Sequence, residues 1–389
     1  MTTLAALGGD VMFRPGVPFV RPAAPSLERV TELLRTSWDR GILTNGPLVR
    51  ELELRAAEAL GVPNVVAVSS CTTGLMLALR ALDVRGDVVM PSFTFSASAH
   101  AVAWNGATPR FAECDSDTFQ LDLTDAGKRL AGAGALLATH VFGAPCQPVD
   151  VDLMARSARI PLVFDAAHAF GARSGGVPVG GFGDAEVFSL TPTKPLVAGE
   201  GGLVATRRDD VAEAVRIGRD YANPGDYDTQ FVGLNGRMSE MHAATALASL
   251  ESFAVNQARR FEVVDRYCAA LATIPGICVQ SIAAGDQSAW KDFTIAVDAD
   301  GFGVDRDTLR AALQAEGVDT RTYFDPPVHR QRAYRDLRSE SLPLTDEACR
   351  RVLSLPVYPA LDDGVIDGIV ALIAEVHDKS GELAGQRWK

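Results

Sequence analysis

Val65-Val66-Ala67-Val68-Ser69-Ser70-Cys71-Thr72-Thr73-Gly74 joins a short run of β-branched and small apolar residues to a cluster of small polar ones. A run that is apolar throughout, with no polar alternation, predicts a strand buried on both faces. The polar cluster opens an amphipathic segment from Thr72 to Leu82, so the unit reads strand, turn, helix. The pattern recurs downstream. Asp87-Val88-Val89-Met90 leads into Ser96 to Trp104, Ala135 to Val141 precedes a helical stretch after Asp150, and Leu162-Val163-Phe164 closes the series. Strands alternating with helices in this way predict an α/β fold with a mostly parallel central sheet covered on both faces.

The pattern changes over residues 185–206, where two strand-like runs, Ala185 to Leu190 and Gly201 to Thr206, are joined by Thr191 to Gly202. From Arg237 to about Ala270 the periodicity is helical and long, a single helix or a helix pair, with Met238, Ala243, Ala246, Leu247, Leu250 and Phe253 on its buried side. A strand candidate at Phe293-Thr294-Ile295-Ala296-Val297, a helix from Arg306 to Glu316 and a last helix from Asp363 to His377 follow. These predict a large α/β unit over 1–250 and a smaller C-terminal α+β unit over 251–389.

The 389 residues carry 37 Lys and Arg against 49 Asp and Glu, a net charge of −12. That balance argues against nucleic acid as a partner, which needs a basic surface, yet leaves room for a local cationic pocket. Hydrophobic residues make up 47 %, enough for a full core. No apolar run approaches the roughly 18–20 residues that span a bilayer, and Met1 to Asp10 lacks the basic segment of a secretory signal. The expectation is a cytoplasmic protein with no membrane partner. Six cysteines without a C-x-x-C pair read as reduced thiols, and six histidines without ligand spacing predict no metal site.

In an open α/β sheet, ligands bind beyond the C-terminal ends of the strands. After Val65–Ser69 come Ser70, Cys71 and Thr72, which form either a helix N-terminus suited to phosphate or a plain N-cap. After Leu162–Phe164 comes Asp165-Ala166-Ala167-His168, an acid that could hold a cationic ring nitrogen or cap the next helix. After Ala185–Leu190 comes Thr191-Pro192-Thr193-Lys194, then Gly199-Glu200-Gly201-Gly202. A lysine in a Gly-rich turn between buried strands is either paired, chemically used, or turned toward water. Together the three fit one cofactor. Pyridoxal 5'-phosphate needs a phosphate cup, an acid for its pyridine nitrogen and a lysine for the Schiff base.

The sequence also resembles the DegT/DnrJ/EryC1/StrS aminotransferases, pyridoxal phosphate enzymes largely acting on sugars. The resemblance runs through Gly41-Ile42-Leu43-Thr44-Asn45-Gly46-Pro47, Pro91-Ser92-Phe93-Thr94-Phe95, Asp165-Ala166-Ala167-His168 and Phe188-Ser189-Leu190-Thr191-Pro192-Thr193-Lys194. It continues through Gly199-Glu200-Gly201-Gly202, Asn235-Gly236-Arg237-Met238 and Leu353-Ser354-Leu355-Pro356-Val357-Tyr358-Pro359. It implies the type I pyridoxal phosphate-dependent transferase (aspartate aminotransferase-like) fold and a homodimer.

By matching position, the resemblance implies Lys194 as the Schiff-base and proton-transfer residue, Asp165 at the pyridine nitrogen and His168 beside the ring. It implies Phe95 stacked on the ring, Ser70, Cys71, Thr72 and Ser189 around the phosphate, and Asn235 reaching the partner's phosphate. Cys71 stands where the family commonly has Gly, Pro195 where it has Asn, and Leu190-Thr191 where Phe-His is frequent. Proline at 195 removes a backbone donor and biases Lys194 toward extended conformations. The implied activity is transfer of an amino group, from L-glutamate, to a keto sugar, foremost a nucleotide-linked 4-keto-6-deoxyhexose. Alternatives are a keto-cyclitol aminotransferase or a related antibiotic-pathway enzyme, and, in a different class, a pyridoxal phosphate-binding regulatory protein.

Overall fold

A computed structural model describes residues 4–337 and 341–383. The large sheet has seven strands: β1 (Asn64–Val68), β2 (Asp87–Pro91), β3 (Thr108–Ala112), β4 (Ala133–Thr139), β5 (Leu162–Asp165) and, after the hairpin of β6 (Arg173–Ser174) and β7 (Val177–Pro178), β8 (Ala185–Ser189) and β9 (Gly202–Thr206). Their spatial order is β1-β9-β8-β5-β4-β2-β3. The pairs β2/β3, β2/β4, β4/β5 and β5/β8 are parallel, whereas β9 runs antiparallel to both β8 and β1.

The reversal of β9 follows from its connection. Parallel neighbours need a crossover, usually a helix, but residues 190–201 contain none and simply turn back. With Ser189 paired to Gly202, the whole loop bearing Lys194 stands beyond the C-terminal end of β8.

The Cys71–Ala81 helix crosses one face of the sheet over β9, β8 and β5. It can approach because residue 74 is glycine: a Cβ there would lie 2.6 Å from Val187 Cγ1. On the other face, the Pro47–Leu60 helix packs with the long helix Glu240–Leu271. Buried Glu240 fastens the two, accepting from the amides of Gly46 (2.9 Å), Leu48 (2.9 Å) and Val49 (3.0 Å) and from Ser37 Oγ (2.8 Å). A carboxylate at a helix N-terminus satisfies amides that have no intrahelical acceptor.

The smaller sheet is antiparallel, in the order β10 (Ile277–Val279), β11 (Phe293–Val297), β12 (Val352–Leu355). Its core joins Phe293, Ile295 and Leu353 to Leu309, Ile366, Ile369 and the far half of the long helix, through Val263 and Tyr267. The long helix therefore crosses the expected boundary at residue 250 without a break, serving both units. Leu4 and Val17, on the large unit's side of that expected division, lie in the small core. Glu316 accepts from the amides of Ala5 (2.6 Å) and Met12 (2.8 Å) and holds this segment there. No helix among the described residues is long and apolar enough to cross a membrane.

Candidate active site

The C-terminal ends of β1, β8 and β5 open on one cavity of about 340 Å³. Ser70 is the N-cap of the Cys71–Ala81 helix, its Oγ accepting from the Thr73 amide at 3.1 Å. Among the described residues, the amides of Cys71 and Thr72 find no acceptor. The cap and the anion site therefore coexist: the serine side chain is used within the turn, and two N–H groups and the positive helix end remain for a ligand. Gly202 permits the tight fit of β9 behind this turn, since a Cβ there would lie 2.6 Å from the Cys71 nitrogen.

Asp165, the last residue of β5, is buried and well held. Its Oδ2 accepts from Ser98 Oγ at 2.5 Å and its Oδ1 from the Ala167 amide at 3.0 Å. Thr94 Oγ1 lies 3.1 Å from Ser98 Oγ and 3.2 Å from Thr139 Oγ1, so buried hydroxyls extend behind the carboxylate. Cys71 Sγ stands 3.9 Å from Asp165 Oδ1. Burial, and then that neighbouring carboxylate, push the thiol well above its ordinary value, which makes Cys71 an inert packing group.

Lys194 lines the cavity, half-buried, and its ammonium makes no hydrogen bond or salt bridge among the described residues. Desolvation first, then the charge of Lys291, lower it to about 8. His168 is held well below its usual range by burial and by the two lysines, so it is neutral near pH 7. Its Nδ1 is buried without a partner.

Eight of the nine residues expected from the sequence, Ser70, Cys71, Thr72, Phe95, Asp165, His168, Ser189 and Lys194, line this one cavity. Asn235 does not. It is exposed, bridges to Asp220, and accepts from Arg237 at 3.2 Å. Its strand-like turn is tied instead to the outside of the cup, where Ser69 N donates to the Gly236 carbonyl at 2.7 Å.

Residues 24–374 match the family model of the DegT/DnrJ/EryC1/StrS aminotransferases. The chain belongs to that family. It is 30 % identical over 368 residues to the dTDP-4-amino-4,6-dideoxy-D-glucose transaminase of Escherichia coli, covering 92 % of this chain and 98 % of the relative. It is 32 % identical over 328 residues to the UDP-N-acetyl-3-dehydro-α-D-glucosamine 3-aminotransferase of Acidithiobacillus ferrooxidans, covering 83 % and 87 %. The crystal structure of DesI in the presence of its TDP-sugar product superposes with a TM-score of 0.92 at 35 % identity, covering 98 % of each chain. The protein is accordingly a pyridoxal phosphate-dependent aminotransferase with the fold of that family.

The residues of this DegT-family chain suit that cofactor on their own geometry. Free amides at a helix N-terminus suit a phosphate, a buried carboxylate suits a protonated pyridine nitrogen, and an unpaired amine of lowered basicity suits an aldehyde. Phe95 is 58 % exposed at the cavity wall, an apolar ring face left for a planar ligand.

Sequence reading passed over Ser98, Lys291 and Tyr323. Ser98 had a signal: it is a hydroxyl between two alanines in the first turn of the largely apolar segment Ser96–Trp104. Lys291 had one too, a Lys-Asp pair set against the mostly apolar strand Phe293–Val297. Tyr323 had none, because its place depends on how the small unit folds over the cavity.

Proposed function

We propose that this aminotransferase carries an amino group from L-glutamate to the ketone of a nucleotide-linked 4-keto-6-deoxyhexose, acting in the cytoplasm as a homodimer. The observation that carries the reading is Lys194, unpaired and of lowered basicity, facing the same cavity as the anchored carboxylate of Asp165. The sugar comes from similarity: relatives over nearly the full chain include a dTDP-4-amino-4,6-dideoxy-D-glucose transaminase and DesI with a TDP-sugar.

When bound, pyridoxal phosphate supplies an electron sink for the pair left on a substrate Cα as its proton departs. The chain's groups divide the remaining work. Lys194, with its basicity lowered by desolvation, is the group that would take that proton from the substrate carbon and carry it. Asp165 holds the proton on the ring nitrogen, with Ser98 fixing the carboxylate. Neutral His168 borders the ring, and Phe95 covers its face. Thr72, Ser189 and the Cys71 and Thr72 amides would hold the phosphate, and Asn235 would reach the partner's phosphate. Support for the last role lies on the surface. Exposed Trp104 and Val232 line, with Leu234, Arg80 and Arg85, a recess of mixed apolar and basic character beside the Asn235 turn.

A second reading, amination at C3, is favoured by the 3-aminotransferase of Acidithiobacillus ferrooxidans at 32 % identity. The turn Gly199-Glu200-Gly201-Gly202 beside Lys194 resembles that of C4 and cyclitol enzymes more than that of C3 enzymes, and this resemblance is what supports C4. The experiment is to load the enzyme with amino groups from L-glutamate, measure released 2-oxoglutarate, and then screen keto-sugar nucleotides and keto-cyclitols for amination. NMR of the product should place nitrogen on C4; nitrogen on C3, or turnover of a cyclitol alone, would displace the proposal.

A further inference from the structure

Lys291 shares the cavity with Lys194 and His168, yet none of the roles above uses it. It belongs to the segment leading into β11, which is pressed against the site. Gly143, at φ +100°, makes this possible, since a Cβ there would lie 2.9 Å from the His168 carbonyl oxygen and 3.1 Å from the Lys291 nitrogen. The Lys291 side chain is only 4 % exposed and donates to Asp292 Oδ1 at 2.6 Å. Its Nζ lies 5.2 Å from the ring centroid of Tyr323, another cavity residue, and 5.9 Å from that of Phe19. The other oxygen of Asp292 is buried without a partner among the described residues.

An ammonium has three donors, and Asp292 is the one acceptor it meets among the described residues. Aromatic faces steady a cation but provide no lone pair in the way an oxygen does. A buried lysine with two donors to spare, opening on a cavity, is equipped for a second anion. We propose that Lys291 binds the carboxylate next to the amino group of the amino donor, sharing its donors between that anion and Asp292. This deepens the aminotransferase reading above and rests on it.

The alternative anion, the diphosphate of a sugar nucleotide, fits less well for two reasons. A cavity of about 340 Å³ lies at the low end of ligand pockets, roughly 300–1,000 Å³, so a nucleotide must project from its mouth. In addition, the amino donor's carboxylate is bonded to the reacting carbon itself, whereas a diphosphate on the anomeric carbon lies across the hexose ring from a C4 ketone. A group buried beside Lys194 meets the first. Asp292 makes the site reversible: when the donor leaves as a 2-oxo acid and an uncharged ketone enters, the ammonium keeps an internal partner.

The test titrates the pyridoxal phosphate-loaded, full-length protein with glutarate, a dicarboxylate without an amino group, and separately with thymidine diphosphate, by calorimetry. Lys291→Gln, which can still hydrogen-bond Asp292, should bind glutarate about 10- to 150-fold more weakly, the loss of one charge-assisted hydrogen bond, with thymidine diphosphate unaffected. Lys291→Arg should recover part of the glutarate affinity. Asp292→Asn should tighten glutarate binding, because it removes the competing internal anion. A merely structural pair would weaken binding in both directions or in neither. Unchanged glutarate affinity in Lys291→Gln, loss of thymidine diphosphate binding instead, or no glutarate binding by the wild type would overturn the assignment. Where Lys291→Gln does not fold, Asp292→Asn decides: equal or weaker glutarate binding overturns it. Release of 2-oxoglutarate from L-glutamate by the wild type separately tests the underlying activity, so the two can fail independently.

Discussion

At the scale of single residues, the site works through what surrounds each charge. Lys194 is lowered to about 8 because its ammonium is desolvated and faces another cation. Only the free amine attacks an aldehyde, so the rate at which cofactor-free protein takes up pyridoxal phosphate should rise as pH climbs through about 8 and level off above it. A lysine in water, near 10.4, would keep accelerating to pH 10. A rise that continues to pH 10 in stopped-flow absorbance would contradict the assignment. Asp165 depends on Ser98 in a comparable way. Ser98→Ala removes a hydrogen bond to a charged group, a loss of about 1.5–3 kcal/mol, and should cut turnover by about 10-fold or more while the cofactor stays bound. Ser98→Thr, which keeps the hydroxyl, should restore most of it; equal loss in both variants would point to packing. Lys194 and Asp165 were legible in the sequence because each lies at or just beyond the C-terminal end of a strand. Ser98 was not, because its partner lies 67 positions away and only the fold joins them.

At the scale of elements, close approach is what places the phosphate cup. Gly74→Ala would raise helix propensity by about 1 kcal/mol. Against this, its new Cβ would meet Val187 Cγ1 at 2.6 Å, and overpacking of that kind costs about 1–3 kcal/mol. The clash should win, lowering the urea midpoint and loosening pyridoxal phosphate retention together. A midpoint that rises would show that the helix shifts freely and that the fit is not set there. The strands on either side of this helix were readable as apolar runs, but β3 was not. Thr108-Pro109-Arg110-Phe111-Ala112 carries a proline and a charge, which count against a central strand. The structure resolves the conflict: β3 is at the sheet edge and pairs with β2 alone, where a missing N–H costs little. The long helical pattern, a helix or a pair from sequence, is a single helix of 32 residues because neither Gly nor Pro interrupts it.

At the scale of the molecule, the expected division of labour is between two copies. Asn235 stands outside its own cavity, exposed beside the recess of Trp104 and Val232. If it serves the partner's phosphate, Asn235→Ala should weaken pyridoxal phosphate retention by about 10- to 150-fold, the range for one charge-assisted hydrogen bond. Mixing that variant with Lys194→Ala should then produce hybrid dimers with one intact site and activity above either parent. Subunits that exchange without any return of activity would rule the arrangement out. The small core carries a different consequence. Leu4 and Val17 pack with Leu309, Leu353 and Ile369, and Glu316 grips the amides of Ala5 and Met12. On the ribosome, the Leu4–Val17 segment must therefore wait, unpartnered, while some three hundred residues are synthesised and the large sheet takes shape. Removing that segment would leave a hydrophobic seat vacant in the small core.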